Sequence, residues 1–228
     1  MEPHAFTSDD FTLRNVRRDF PEWHRGRRRY ALWALEVDFP SVMQRVRAAQ
    51  AHLAGLLLDG YCRQPHVTVR LCGFPSDSPR HADDFGPESL RIQLAALRQA
   101  RPRPFEIDIG GLSSFTSAPY LTVSDGGGNL AALREALFSG FDGDPGGHYT
   151  PHVTVGLYAD AWPLPMVQAC MSRFEIDAPL RLRVSGISLL SYAAPEIGGA
   201  LTPIGHYDFA SASLRWSGSP PFSLSSPA

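Results

Sequence analysis

The 228-residue sequence has no lysine; all 21 of its basic residues are arginine. That excludes a P-loop, whose motif sets a lysine ammonium against the phosphates. Schiff-base chemistry and a lysyl-adenylate route to ATP-driven ligation are excluded as well, because both need a lysine amine as nucleophile. Cysteine is scarce: Cys62, Cys72 and Cys170 form no CxxC and no even framework, which points to a reducing compartment. No run nears the ~18 apolar residues of a membrane-spanning helix; the longest lie around Leu53–Leu58 and Ile187–Leu190. The start, from Met1 through Asp9 and Asp10, lacks the basic-then-apolar order of a signal peptide. No GxSxG elbow is present, and no HxH, HExxH or CxxC could complete a zinc site. The expectation is a cytoplasmic protein that uses no metal or cofactor, has no membrane partner and acts as a monomer.

What is present is an ordinary globular composition, with 43% apolar and 19% charged residues and a net charge of −2. Residues 1–29 form an Arg-rich extension carrying Arg14, Arg17, Arg18, Arg25, Arg27, Arg28 and Arg29. Nearby Asp9, Asp10, Asp19 and Glu22 balance much of that charge, so a solvated surface segment is favoured over an arm tracking a phosphate backbone. At the other end, residues 211–228 are rich in Ser, Pro and Gly, and are expected to fray or pack loosely.

Between these ends the apolar period alternates between strand and helix. Tyr30–Val37 reads as a buried strand. A helix opened by Phe39-Pro40-Ser41 follows, with Val42, Val46, Ala49 and Leu53 on one stripe and Gly60 as its stop. His66–Leu71 reads as a strand, the segment after Gly86-Pro87 as a helix, and Phe105–Ile109 as a strand. The order then restarts: a strand at Tyr120–Val123, a helix capped by Asn129, a strand at His152–Tyr158, a helix near Pro163, and strand character at Phe174–Ile176 and Leu180–Leu190. The Gly126-Gly127-Gly128 run lacks GxGxxG spacing and reads as a loop.

Words repeat with the pattern. Pro65-His66-Val67-Thr68-Val69 matches Pro151-His152-Val153-Thr154-Val155, and Phe105-Glu106-Ile107-Asp108 matches Phe174-Glu175-Ile176-Asp177. A two-copy repeat predicts a pseudo-twofold α+β domain over residues 30–210, with copies at about 30–112 and 118–192 sharing one core. Eight histidines and eight threonines make roughly 0.3 chance copies of His-x-Thr in a chain this long. Two copies inside identical pentapeptides at equivalent places are far rarer.

Strand geometry gives the words a chemical reading. With period two, His66 and Thr68 project to one face while Val67 and Val69 face the core, and His152 and Thr154 do the same. If the twofold sets the strands side by side, two imidazoles and two hydroxyls line one cleft. One imidazole can take a proton from water while its protonated partner donates to a leaving alkoxide. The threonine hydroxyls can hold the non-bridging phosphoryl oxygens. Period two also places Arg70 beside His66 and Thr68 as a candidate phosphate or carboxylate contact. His148 lies near enough to edge the cleft, and Phe115, Tyr120, Tyr158 and Tyr192 are candidate base-stacking rings set against a default of core packing.

PHVTVR and PHVTVG, together with YALWALEV, FEIDIGGLSSF and PYLTV, resemble the 2H phosphoesterase superfamily, and within it the 2′-5′ RNA ligase-like and RNA 2′,3′-cyclic phosphodiesterase branch. The resemblance spans roughly Tyr30 to Tyr192. It departs from many relatives in having no obvious basic residue before PYLTV. It implies a bilobal α+β fold with two antiparallel sheets flanking a central cleft and helices outside. It further implies metal-independent hydrolysis of a 2′,3′-cyclic phosphate, on an RNA terminus or a cyclic nucleotide, to a 2′-phosphomonoester. His66 would be the proton donor, His152 the acceptor, and Thr68 and Thr154 the phosphate contacts. A 2′-5′ oligonucleotide phosphodiesterase, an ATP-independent 2′-5′ RNA ligase and a non-catalytic RNA-binding protein are the alternatives.

Overall fold

A computed structural model of the chain describes residues 10–141 and 149–223. In chain order, a short helix α1 (Pro21–His24) is followed by β1 (Arg29–Glu36), α2 (Pro40–His52), β2 (His66–Pro75), β3 (Asp84–Phe85), α3 (Pro87–Ala100) and β4 (Phe105–Ser114). Then come β5 (Pro119–Ser124), α4 (Asn129–Phe138), β6 (His152–Thr154), α5 (Leu164–Met171), β7 (Leu180–Val184), β8 (Gly186–Ala193), β9 (Leu201–Asp208) and β10 (Ser213–Trp216). The strands form a six-stranded sheet in the order β10-β9-β8-β1-β2-β3 and a four-stranded sheet in the order β6-β5-β4-β7. All pairings are antiparallel except the short β2–β3 one.

The two halves exchange strands. β4 leaves the first half to pair with β5, and β8 leaves the second to pair with β1. In each lobe, then, the strand preceding the His-x-Thr strand lies between that strand and one contributed by the other half. One apolar cluster spans both lobes as a result of this interleaving. It includes Trp33, Val67 and Val69 from one lobe and Leu121, Val153 and Val155 from the other. The valines of both pentapeptides are fully buried, which forces His and Thr to the opposite face by strand alternation.

Helix starts follow local chemistry. Pro40 and Pro87 occupy first-turn positions, where a missing N–H costs nothing. α4 is capped by Asp125 rather than by Asn129: its carboxylate accepts from the N–H groups of Gly128 and Leu130. α2 ends at His52, well short of Gly60, because Leu57 and Leu58 instead tie the first lobe to the second. Leu57 bridges to Tyr158, and the Leu58 N–H donates to the Leu157 carbonyl at 2.7 Å.

Three further expectations differ from the structure. Phe174–Ile176 is not a strand, so its word match with Phe105–Ile107 does not mark equivalent places; β8, not Phe174–Ile176, is the counterpart of β4. The second pentapeptide gives a strand of three residues rather than seven. The C-terminal segment does not fray through residue 223: β10 adds an edge strand, and Phe222 is buried against Phe85 with ring centroids 5.6 Å apart.

The Arg-rich segment is also fixed to the body. Asn15 donates from its side chain to the carbonyls of Ser117 and Tyr158, and Arg17 to those of Asp59 and Gly60. Arg18 pairs with Glu22, and Arg27 with Asp83 and Asp84 while lying over the Phe74 ring. Those guanidiniums are engaged within the chain, which leaves less charge for an RNA backbone than the sequence count implies. Among the described residues, no helix is long and apolar enough to cross a membrane.

Candidate active site

β2 and β6 contact each other where the sheets meet, and a cleft of about 630 Å³ opens on the face bearing the polar residues of both pentapeptides. His66, Thr68, His152 and Thr154 all line it. β6 is an edge strand paired with β5, Thr122 against His152 and Tyr120 against Thr154. Phe115 stacks on Tyr120 at 4.3 Å, and both rings contact the His152 imidazole, at 4.9 and 5.3 Å. His66 lies opposite Glu36 in the β1–β2 register.

The two imidazoles are oriented by the same local device. Nδ1 of His66 lies 2.8 Å from the Gln64 carbonyl, and Nδ1 of His152 lies 2.8 Å from the Thr150 carbonyl. A carbonyl can only accept, so Nδ1 carries the proton and Nε2 is left as the ring nitrogen for a ligand. The intervening Pro65 and Pro151 hold the preceding residue extended, which places that carbonyl under the ring in each copy.

Their surroundings differ. His66 is 7% exposed, and burial pushes its pKa down to about 4, with the charges of Arg63 and His152 acting in the same direction. His152 is only partly buried, and burial lowers it as well. In the free protein both rings therefore favour the neutral form at pH 7, His66 more strongly. A bound phosphate anion acts oppositely, favouring the imidazolium.

Arg70 is not in this cleft. Trp33 pairs with Arg70 and Ala34 with Thr68, so Val69 is an extra residue in β2 and the alternation slips by one. The bulge sends Arg70 to the helix-covered face, where it is buried, donates to the Leu137 carbonyl and lies between the rings of Phe138 and Phe141, 4.2 and 4.0 Å from their centroids. The expected anion contact at Arg70 is thus corrected to a packing role. Arg63, which the sequence reading passed over, lines the cleft instead. Its guanidinium lies 4.1 Å above the Tyr192 ring, and its Nε donates to the Gly199 carbonyl at 3.2 Å. No local signal singles it out, because it precedes the strand.

Tyr61 is a second cleft residue that the sequence reading missed. Its hydroxyl interacts with the Thr154 side chain, and burial pushes its pKa up to about 12, so it stays protonated. Of the proposed stacking rings, Phe115 and Tyr192 line the cleft. Tyr120 backs His152, and Tyr158 is fully buried with its hydroxyl 2.6 Å from Ser114 Oγ. His148 lies outside the described residues. Among the described residues, no group of three or more His, Cys, Asp or Glu is placed to hold a metal ion.

Residues 38–196, more than half of the chain, match the sequence pattern of the 2′-5′ RNA ligase superfamily. No curated protein matches the chain in sequence. Among solved structures, TT0787 of Thermus thermophilus is 15% identical, with 79% of this chain and 97% of that one covered and a TM-score of 0.54. E. coli LigT complexed with 3′-AMP is 13% identical over 80% of this chain and 98% of its own, with a TM-score of 0.51. At such identities the likeness carries the fold alone.

Proposed function

The chain belongs to the 2′-5′ RNA ligase superfamily, and on that footing we propose that it is a cyclic phosphodiesterase that opens the 2′,3′-cyclic phosphate of an RNA end or nucleotide to a 2′-phosphomonoester. The observation that carries this reading is the pair of imidazoles in one cleft, each held through Nδ1 with Nε2 left for a ligand, and each with a threonine two residues on. The solved structure of LigT with 3′-AMP, a nucleoside phosphate, is compatible with this substrate class.

In the proposed step one Nε2 accepts a proton as water attacks phosphorus. The P–O3′ bond breaks, and the other imidazolium donates its proton to O3′. Thr68 and Thr154 donate to the non-bridging oxygens, and Arg63, which lines the cleft and whose charge reaches His66, complements the phosphate charge. The deeper burial of His66 favours its neutral form, the state of an acceptor, and leaves His152 the readier ring to carry a proton. The resemblance assigns these roles the other way round.

The test is turnover of 2′,3′-cyclic mononucleotides with and without a chelator, followed by identification of the phosphate position. His66→Ala and His152→Ala should each lower kcat by about 10²–10⁴-fold. Full activity in either variant would sink the reading. One observation favours a second substrate type at the same site. Thr68, Phe115 and His152 also border a neighbouring cavity of about 480 Å³ lined by Arg134 and Tyr149. That leaves room for a nucleoside on the far side of the scissile phosphate, as a 2′-5′ linkage requires, and a 2′-5′ dinucleotide belongs in the same assay.

A further inference from the structure

Residues 10–28 precede the region that matches the superfamily, yet they complete the cleft. From Asp10, whose carbonyl accepts the Leu164 N–H, the segment runs along the second lobe. Thr12 and Trp162 exchange hydrogen bonds there, and the Leu13 N–H donates to the Thr116 carbonyl. It crosses at Asn15 and Arg17 to the first lobe and turns through α1 onto the end of the six-stranded sheet. Along the way Asn15, Phe20 and Trp23 come to line the same cavity as His66 and His152.

Trp23 is packed from behind and open toward the cleft. Its ring rests on Tyr30 and Phe74, with centroids 5.3 and 5.0 Å away, yet the residue remains 39% exposed at the cleft. Tyr30 in turn contacts Tyr192 at 5.6 Å, and Arg63 covers Tyr192, so the rings form a continuous wall that ends at a cation whose charge acts on His66. Phe20 extends the wall and carries the Arg18 guanidinium 3.8 Å from its centroid. Rings supported from behind and open in front offer flat faces to a flat partner at little entropic cost, because their own freedom is already lost.

We infer that this N-terminal strap is a nucleobase-binding wall: Trp23 and Phe20 stack the base of the nucleoside whose phosphate lies between His66 and His152. The inference rests on the proposed phosphodiesterase reading for the position of the phosphate. It adds that substrate selection comes from a segment outside the superfamily match. A base is the chemistry that fits, because stacking accepts any π-face and the phosphate contacts lie in the same cavity.

The test compares a nucleoside 2′,3′-cyclic phosphate with the base-free methyl riboside 2,3-cyclic phosphate. Trp23→Ala and Phe20→Ala should each raise KM for the nucleoside about tenfold, the loss of one base–ring stack, with little change in kcat and no change in KM for the base-free compound. Trp23→Phe keeps a ring on Tyr30 and Phe74 and should restore most of the affinity, which separates stacking from loss of fold. Equal effects on both substrates, or none on either, would overturn the wall. Binding of a 2′-mononucleotide by calorimetry keeps the two readings apart. Wild-type protein that turns over neither substrate removes the phosphodiesterase reading, yet a tenfold weaker Kd in Trp23→Ala still supports the wall. An unchanged Kd overturns the wall even when turnover is intact.

Discussion

Identical pentapeptides have different fates in the two lobes. In β2 the sequence continues Arg70-Leu71-Cys72-Gly73-Phe74, pairs with β1 along its length and meets β3 at its end, making ten strand residues with His66 nearly sealed. In β6 the sequence continues Gly156-Leu157-Tyr158, and pairing stops after three residues at a sheet edge. Leu57 of the other lobe sits over Gly156, where a Cβ would lie 3.1 Å from Leu57 Cδ1, and the Leu157 carbonyl accepts the Leu58 N–H. Local sequence therefore sets the orientation of each imidazole, and the neighbouring strands set how wet it is. Two histidines in identical pentapeptides are thereby unequally buried, an asymmetry suited to one giving a proton while the other takes it.

The sharpest way to break this comparison is a substrate whose leaving group needs no proton. On a p-nitrophenyl phosphodiester, the variant lacking the general acid should recover about 10²-fold or more relative to the one lacking the base. If the unequal burial sets the roles, His152→Ala is the one rescued; rescue of His66→Ala instead would assign the donor to the buried ring.

A smaller effect tests the depth of His66 directly. Its folded pKa of about 4 lies below the ordinary histidine value, so the unfolded chain binds more protons between those limits and stability falls as pH drops through them. The loss from pH 7 to pH 4 should be roughly 3 kcal/mol for this group, and His66→Gln should abolish most of it in urea melts at the two pH values. The same substitution at His152, which is less buried, should change the pH slope less. Equal slopes would mean that the two sites are equally desolvated.

The smallest expected effect concerns the bulge at Val69, in the first pentapeptide. Arg70→Ala should cost about 2 kcal/mol, from lost packing between Phe138 and Phe141 and an orphaned Leu137 carbonyl. Its kcat/KM on a cyclic nucleotide should stay within about twofold, because the side chain lies behind the sheet. A large loss of turnover with unchanged stability would return Arg70 to the cleft.

Much of the site was legible in the sequence because its determinants are local. Strand alternation around Val67 and Val153 predicts which face His66, Thr68, His152 and Thr154 take, and a proline before each histidine brings the orienting carbonyl into place. The limits of that reading are local in origin too. One extra residue at Val69 reverses the side chains that follow it, Arg70 first, until a second extra residue at Cys72 restores the phase, and nothing in the alternation of HVTVRL announces it. The match between Phe105–Asp108 and Phe174–Asp177 misled for a related reason: strand formation there depends on a partner, and only Phe105–Asp108 finds β7 and β5 beside it.

By itself the sequence determined the doubled His-x-Thr words, the buried valines behind them and the chemistries that a chain without lysine must forgo. Those follow from side-chain identity and from the two-residue period of an extended backbone. Only the tertiary structure decided that the halves exchange β4 and β8, that Arg63 and Tyr61 replace Arg70 at the cleft, and that Phe20 and Trp23 arrive there from before the repeat. The reason is that these placements depend on contacts between residues far apart in the chain, and packing, not local propensity, selects them.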